Sequence, residues 1–205
     1  MKLLLRSVAL LMALFGAAYL YFQPKHATLV FYGQKQEAIL VEKLILTDDA
    51  LAALGTDFGK QSYFAAFAVR PDGAYHWAGG RHSPADARAD AIAGCKSGGT
   101  ADCVIIQEIH PKDYRADLGG ITISGSATNA GIVRLLPTTG EVLFALAKDG
   151  SWAVQIAQDG TVFPQWFVLA RCQNNTQKVA RSVAMGANRC TLYRGPAFGV
   201  VDAAS

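Results

Sequence analysis

The body of this chain lacks an excess of charge of either sign. The 205 residues carry 19 basic and 16 acidic side chains, and two of the basic ones are Lys2 and Arg6. Without these two, 17 basic residues stand against 16 acidic ones. They form no basic stripe interleaved with aromatic residues, which is the pattern that nucleic-acid binding requires. The sequence therefore predicts that nucleic acid is not a partner.

Motifs for catalysis and for phosphate binding are also missing. Gly119-Gly120 and Ser124-Gly125-Ser126 resemble a phosphate loop in composition, but the Lys-Ser/Thr ending of that motif is absent. No Gly-x-Ser-x-Gly nucleophile elbow occurs. Asp113 and Asp117 form a weak carboxylate pair that a solvated loop explains. These absences favour a protein without a cofactor and make an enzyme the less favoured interpretation.

A second long apolar segment is absent, whereas the first 22 residues contain one. Lys2 and Arg6 precede an uncharged apolar run from Val8 to Phe22, with small residues at Gly16-Ala17-Ala18. This order is typical of a secretory signal peptide. The alternative is an uncleaved signal anchor, for which the run is short. Both alternatives place the body outside the cytoplasm. We therefore expect a periplasmic or secreted protein, or one anchored to the inner membrane by residues 1–22 alone.

The four cysteines agree with export. Cys95 and Cys103 form one local pair, and Cys172 and Cys190 form another. An even number of cysteines in an exported chain indicates disulfides, and short loops close most readily, so two local bridges are favoured among the three pairings. Structural zinc needs ligand pairs about two to four residues apart, which neither pair provides. The sequence thus predicts two disulfides and no metal site.

Residues 27–118 are predicted to form a hairpin-helix-strand domain. The predicted elements, in order, are strands at Thr28–Tyr32 and Ala38–Leu46, a short helix capped by Thr47 and ended by Gly55, a hairpin of Tyr63–Arg70 and Ala74–Ala78 around the Pro71-Asp72-Gly73 turn, a break at Gly79-Gly80, an alanine-rich helix from Ser83-Pro84 to Cys95, and a central strand at Cys103–Ile109. Ser as N-cap and Pro at the first helical position are the strongest of these signals.

Residues 119–205 are predicted to form an antiparallel meander and a helix, packed on the first domain. The predicted strands are Val142–Ala147, Trp152–Ala157 and Val162–Ala170, followed by a helix at Gln177–Met185, a short strand at Cys190–Tyr193 and a loose tail from Gly195-Pro196. The fold class that we expect is α+β. It comprises an antiparallel sheet of hairpins and two short helices, each next to a local disulfide.

The stretch from Tyr63 to Ile109 resembles a secreted bacterial domain of unknown function, family 4189. The residues that carry the resemblance are Phe64-Ala65-Ala66-Phe67-Ala68-Val69, the Asp72-Gly73 turn, Trp77 to Gly80, the alanine-rich helix ending at Cys95, and Cys103 at the start of a strand. The resemblance implies a small exported, disulfide-bonded module. It implies no catalytic residues, and it does not extend to the region after Gly119.

The hairpin and the residues after it supply the candidate binding face. Its members are aromatic, basic or acidic side chains close to the break after the second strand: Asp72, Tyr75, His76, Trp77, Arg81 and His82. Tyr75 and Trp77 are two apart on one strand and therefore face the same side, either covering the core or forming a ligand platform. A Cys-His nucleophile is less favoured, because the predicted disulfide removes the free thiolate of Cys95.

These observations predict an exported, non-catalytic protein of a bacterial cell envelope that binds a protein or a glycan. One concrete form is a periplasmic inhibitor or immunity protein that acts against an enzyme attacking the wall or the membrane. The alternative is a small periplasmic hydrolase that uses His76 and His82 in a cleft. The partner itself is not identified by any motif of the sequence.

Overall fold

A computed structural model describes residues 24–33, 35–99, 101–123, 142–155, 164–179 and 190–200. Within these residues the strands are β1 (Lys25–His26), β2 (Leu29–Tyr32), β3 (Gln36–Leu40), β4 (Phe64–Val69), β5 (Tyr75–Arg81), β6 (Val104–Pro111), β7 (Ile121–Thr122), β8 (Val142–Leu146), β9 (Trp152–Gln155), β10 (Thr191–Gly195) and β11 (Ala197–Val200). The α-helices are α1 (Asp48–Ala53), α2 (Pro84–Lys96) and α3 (Gln165–Val179). The predicted leader, residues 1–22, lies outside the described residues.

The first sheet is antiparallel and has the order β3-β6-β4-β5. β6 is therefore internal, as its apolar sequence predicts. Helix α2 covers one face, where Ala87 and Ala91 are buried and bring the helix axis close to the strands. The other face packs against Phe58 from the turn after α1. The α+β class predicted from the sequence is confirmed.

The capping signals of the first half act as predicted. Ser83 Oγ accepts a hydrogen bond from Asp86 N at 3.1 Å at the start of α2. Thr47 Oγ1 accepts one from Ala50 N at 3.3 Å at the start of α1. These bonds satisfy N–H groups that the first turn of a helix leaves without partners.

Two predicted glycine breaks are wrong. Gly55 does not end the first helix, which continues as a π-helical turn over Leu54–Phe58, with Gly59 N donating to Leu54 O at 3.1 Å. Gly79-Gly80 does not end the hairpin strand, since β5 runs on to Arg81. The strand survives because Gly79 and Gly80 together form a bulge opposite Ala65 of β4. Gly80 takes a φ of +68°, which only glycine adopts without strain.

The strand predicted at Ala38–Leu46 is shorter and starts earlier. It is β3, which stops at Leu40. The amides of Val41 and Glu42 both donate to the Ile106 carbonyl, at 2.9 and 3.3 Å, so the regular ladder ends there. Residues 41–47 have no regular structure.

The second half contains two further sheets. One has the order β1-β10-β8-β9, and its β8–β9 hairpin corresponds to the first two of the three strands of the predicted meander. The other has the order β11-β2-β7 and is parallel. The tail predicted to be loose after Gly195-Pro196 contains β11, because its amides and carbonyls find partners on β2.

A helix replaces the strand predicted at Val162–Ala170. Residues 165–170 belong to α3, which extends to Val179, so the helix predicted at Gln177–Met185 begins much earlier. Residues 156–163 and 180–189 lie outside the described residues. Val168, Cys172 and Thr176 are buried four residues apart, which is the spacing of one helix face. Packing on the β8–β9 sheet therefore overrides the strand preference of the aromatic and β-branched residues.

Strand β2 connects the two halves of the molecule. Leu29 and Phe31 point to the second-half cluster, where the Phe31 and Phe144 rings are 5.7 Å apart. Val30 and Tyr32 point to the cluster under α2. Strand pairing thus joins residues 25–32 to the second half, although they precede the first sheet in the chain.

Both predicted disulfides are present. Cys95 at the end of α2 is bonded to Cys103, and Cys172 on α3 is bonded to Cys190. Loop-closure entropy gives each a stabilisation of about 2.5 to 3 kcal/mol. Two such bonds indicate an oxidising compartment outside the cytoplasm. Among the described residues, no helix has the length and apolar composition of a membrane span.

Candidate binding cavity

The end of β5 holds the hairpin turn of the second half. Arg81 Nη1 donates to the Asp149 carbonyl at 2.9 Å, and His82 Nε2 lies 3.2 Å from the Ser151 carbonyl. Gly150 lies between Asp149 and Ser151 in the chain and approaches the backbone of Gly80 so closely that a side chain at position 150 would have no room. The β8–β9 turn is therefore fixed against the end of β5 by backbone contact and by two side chains.

His82 is buried and uncharged at neutral pH. Burial lowers its pKa to about 4, and Arg81 adds to the effect, while Ser151, Asp86 and Asp149 oppose it. A carbonyl oxygen can only accept, so Nε2 carries the proton of the neutral ring and donates it to Ser151. The histidine acts here as a fixed hydrogen-bond donor at the junction of the two halves.

This burial predicts that stability falls as the solution is acidified. Below pH 6.5, the usual pKa of histidine, His82 binds a proton in the unfolded chain but stays neutral in the folded protein. The free energy of unfolding is therefore highest above pH 6.5 and decreases as the pH falls toward 4. The full loss is about 3 kcal/mol. Urea unfolding between pH 7.5 and pH 5 should show this slope in the wild type, whereas His82→Gln, which keeps an amide donor, should lack it. The exposed His76 provides the control, since His76→Asn should keep the slope. Equal slopes for the wild type and His82→Gln would contradict the assignment.

A cavity of about 520 Å³ opens beside His82, between the start of α2, the β7 region, β8 and β10. Its size is within the range of small-molecule sites in proteins. The wall combines apolar surface with polar side chains and contains two tyrosines. Its residues are His82, Ser83, Asp86, Tyr114, Gly120, Ile121, Thr122, Leu146, Ala147, Lys148, Thr191 and Tyr193.

The histidine, serine and aspartate at the start of α2 do not form a catalytic triad. In a triad of these residue types, the histidine lies between the other two. Here Ser83 Oγ donates directly to Asp86 Oδ2 at 2.7 Å, and His82 donates to a backbone carbonyl. Ser83 therefore directs its hydroxyl hydrogen at the Asp86 carboxylate and not at the His82 imidazole.

The two tyrosines present phenol groups that stay protonated at neutral pH. Burial raises the pKa of Tyr114, and burial together with the Asp86 carboxylate raises that of Tyr193. Tyr114 is also fixed in place, because its ring meets Phe64 edge-on at 4.8 Å and Tyr32 at 5.6 Å. The cavity thus offers two protonated phenol groups on flat apolar rings, and a hydrogen bond with Thr191 engages that of Tyr193.

The candidate residues of the hairpin lie in three different places. His82 lines the cavity, and Arg81 lies beside it with an ion pair to Asp90 at 2.7 Å. Asp72 is exposed at the hairpin turn and pairs with Arg70 at 2.8 Å. The structure therefore does not combine the six residues into one face.

Tyr75 and Trp77 do share one side, as predicted. Their rings stack at 14° to each other and each lies parallel to Phe67, half-buried over the core that contains Phe58. His76 points to the opposite side, against Gly94 near the end of α2, whereas His82 precedes the start of that helix. A 13-residue helix is roughly 20 Å long, so the two histidines share no cleft.

Sequence reasoning missed most of the cavity wall and one buried ionic cluster. Glu108 is 2% exposed on β6 and receives hydrogen bonds from Arg88 Nη2 at 2.9 Å and from His110 Nε2 at 2.8 Å. A charged residue within the apolar run of Cys103–Ile109 is the signal that could have identified this cluster. No comparable signal links Tyr114, Lys148 and Tyr193, which come from distant segments.

Within the part of the chain that the structure describes, no cluster of three metal-binding side chains occurs.

Comparison of the chain with protein-family models, with curated proteins and with solved structures finds no match. The resemblance of Tyr63–Ile109 to family 4189 therefore stays a prediction.

Proposed function

We propose that this chain is an exported, non-catalytic envelope protein that binds a glycan in the cavity beside His82. The observation that carries the proposal is the composition of the cavity wall, which combines two tyrosine rings with short polar side chains. A sugar ring has an apolar face of C–H groups and an edge of hydroxyls. It needs an aromatic surface and several donors and acceptors at once.

Each polar group of the wall has a role in this proposal. Asp86 uses Oδ2 for Ser83, so its second oxygen is positioned to accept from a sugar hydroxyl or an acetamide N–H. The phenols of Tyr114 and Tyr193, being protonated, donate to sugar oxygens. Lys148 is exposed at the rim and adds a cationic donor.

The export signals give this ligand class its context. The two disulfides indicate an oxidising compartment, and the apolar leader predicts delivery into the cell envelope. Wall polymers built from N-acetylated sugars are the glycans of that compartment. An inhibitor of a wall-attacking enzyme stays a further form of the proposal, whereas the hydrolase alternative loses its premise because His76 and His82 share no cleft.

Titration with chitobiose, a dimer of N-acetylglucosamine, tests the proposal. The disulfide-intact protein is expected to bind it in a calorimeter, and Tyr193→Ala is expected to weaken binding roughly tenfold because a stacking surface is lost. Asp86→Asn should weaken binding less, since the amide keeps an acceptor. Tyr75→Ala removes an equally half-buried tyrosine outside the cavity and should leave affinity unchanged. Absence of binding to chitobiose and to soluble wall fragments would refute the proposal, as would binding that Tyr193→Ala does not change.

A further inference from the structure

Strand β3 forms an open and apolar edge of the first sheet. Its five residues are all exposed, and it pairs only with β6 among the described strands. Ile39 is 37% exposed, Leu40 58% and Val41 50%. Natural proteins usually protect such an edge with proline, lysine or an inward charge, and the segment Ala38-Ile39-Leu40-Val41 has none of these.

The hydrogen bonds to β6 show which backbone groups of β3 are open. Lys112 N donates to Lys35 O at 2.8 Å, and Val41 N donates to Ile106 O at 2.9 Å. Backbone groups of an antiparallel strand alternate in direction, so the odd-numbered residues face β6. Gln36, Ala38 and Leu40 therefore direct their N–H and C=O groups away from the sheet, where another strand can pair with them.

The sequence of this edge is complementary to itself in one antiparallel register. With Leu40 opposite Leu40 of a second copy, Ile39 lies opposite Val41 and Glu37 lies opposite Lys43, each pair occurring twice. The open residues also face one another, because a register centred on Leu40 pairs even-numbered residues with even-numbered residues. Apolar side chains thus meet at the centre and opposite charges meet at both ends.

Neighbouring registers are less favourable. A register centred on Ile39 places Lys35 opposite Lys43, and one centred on Ala38 places Glu37 opposite Ile39. Parallel pairing in register places Glu37 opposite Glu37. Each of these brings like charges together or sets Glu37 against an apolar side chain. The Leu40 register also places Ala38 opposite Glu42, but it alone among these registers sets Glu37 opposite a lysine and brings no like charges together.

We propose that this protein forms a symmetric dimer in which β3 pairs antiparallel with β3 of a second copy, with Leu40 on the two-fold axis. The interface is isologous, as expected for a self-complementary patch. It joins two four-stranded sheets into one and covers Ile39, Leu40 and Val41. Residues 41–43, irregular in the single chain, extend the strand in the dimer. This surface is separate from the cavity, so the dimer does not depend on the proposed glycan binding.

A cysteine at the two-fold axis tests the pairing directly. Hydrogen-bonded residues opposite each other in an antiparallel pair have Cα atoms about 5.5 Å apart, which is a disulfide distance. Leu40→Cys in the exported full chain is therefore expected to give a dimer on a non-reducing gel that reductant dissolves. Leu51→Cys is the matched control, since Leu51 is also 58% exposed but lies outside β3. Dimer yields for Leu40→Cys no higher than those for Leu51→Cys would overturn the proposal.

Charge exchange tests the register independently. Glu37→Lys places lysine opposite Lys43 twice and is expected to weaken dimerisation roughly tenfold in sedimentation experiments. Glu37→Lys combined with Lys43→Glu restores opposite charges and should restore the dimer. A double variant that stays as weak as Glu37→Lys would refute this register. Cross-linking of Leu40→Cys to a different envelope protein, without a homodimer, would show that the edge serves another partner and would overturn self-pairing.

Discussion

Replacing Arg88 with leucine is expected to lower the free energy of unfolding by about 3 kcal/mol at pH 7. Arg88 is half-exposed, so its own burial contributes little, but Glu108 beneath it is 2% exposed. Burial alone would raise the pKa of Glu108, yet hydrogen bonds from Arg88 and His110 outweigh it and hold that pKa below its ordinary value of 4.5. Without the guanidinium, a buried carboxylate keeps a single donor, and this large penalty is measured by urea unfolding.

A double variant separates the lost charge pair from lost packing. Glu108→Gln keeps the shape and an acceptor for His110, so adding it to Arg88→Leu should recover part of the stability. The wild type should also lose this contribution in acid, because a carboxylate with a depressed pKa stabilises the fold above pH 4.5 and ceases to do so as the pH falls through its folded pKa. If the double variant is less stable than Arg88→Leu alone, the buried charge is not the cause.

The second large effect is expected at Gly150. Gly150→Ala should destabilise the protein by at least about 3 kcal/mol for two separate reasons. The residue has a φ of +88°, which costs alanine about 1 kcal/mol, and an added Cβ would overlap the carbonyl oxygen of Gly80. That oxygen belongs to backbone and cannot rotate away, so the β8–β9 turn must leave the end of β5. Thermal unfolding followed by circular dichroism measures the loss.

Alanine substitutions at two other glycines separate the cost of the positive φ from the cost of the steric overlap. Gly80 has a φ of +68° but open space at the Cβ position, so Gly80→Ala should show the backbone strain alone. Gly55 lies in a helical turn, with neither a positive φ nor a neighbour within 4 Å, so Gly55→Ala should be neutral or slightly stabilising. A Gly150→Ala variant as mild as Gly80→Ala would show that the junction yields easily.

Local signals predicted much of the first half. Thr47 and Ser83 cap helices, Pro71-Asp72-Gly73 turns the hairpin, and both cysteine pairs close short loops. Each of these features depends on residues only a few positions apart, so a single sequence contains the necessary information. The helix over residues 165–170 was missed because its decisive interaction is the contact of Val168 and Cys172 with a sheet formed by distant strands.

The cavity could be predicted only at one residue. His82 was a candidate because it lies close to the Gly79-Gly80 pair after the hairpin, and it does line the cavity. Tyr114 and Tyr193 come from segments 79 residues apart, by their numbers. They line one cavity because β1 pairs with β10, which contains Tyr193, and β2 pairs with β7, which follows Tyr114. Parallel pairing over such separations leaves no periodic pattern that a single sequence reveals. The aromatic pair Tyr75 and Trp77 was correctly predicted to share a side, because strand alternation is a local rule.

The pairing of β1 with β10 and of β2 with β11 has a consequence for the order of folding. Strands near the beginning of the chain wait for partners at residues 191–200, whereas residues 36–111 contain a complete sheet of their own. A chain that becomes available amino end first can therefore assemble its middle segment early. β2 can then pair with β7, but β1 and the other edge of β2 wait for residues 191–200. Closing such a long loop is slow and exposes apolar strands meanwhile. Folding is thus expected to be limited by the arrival of the last strands, which complete the pairing of β1 and β2.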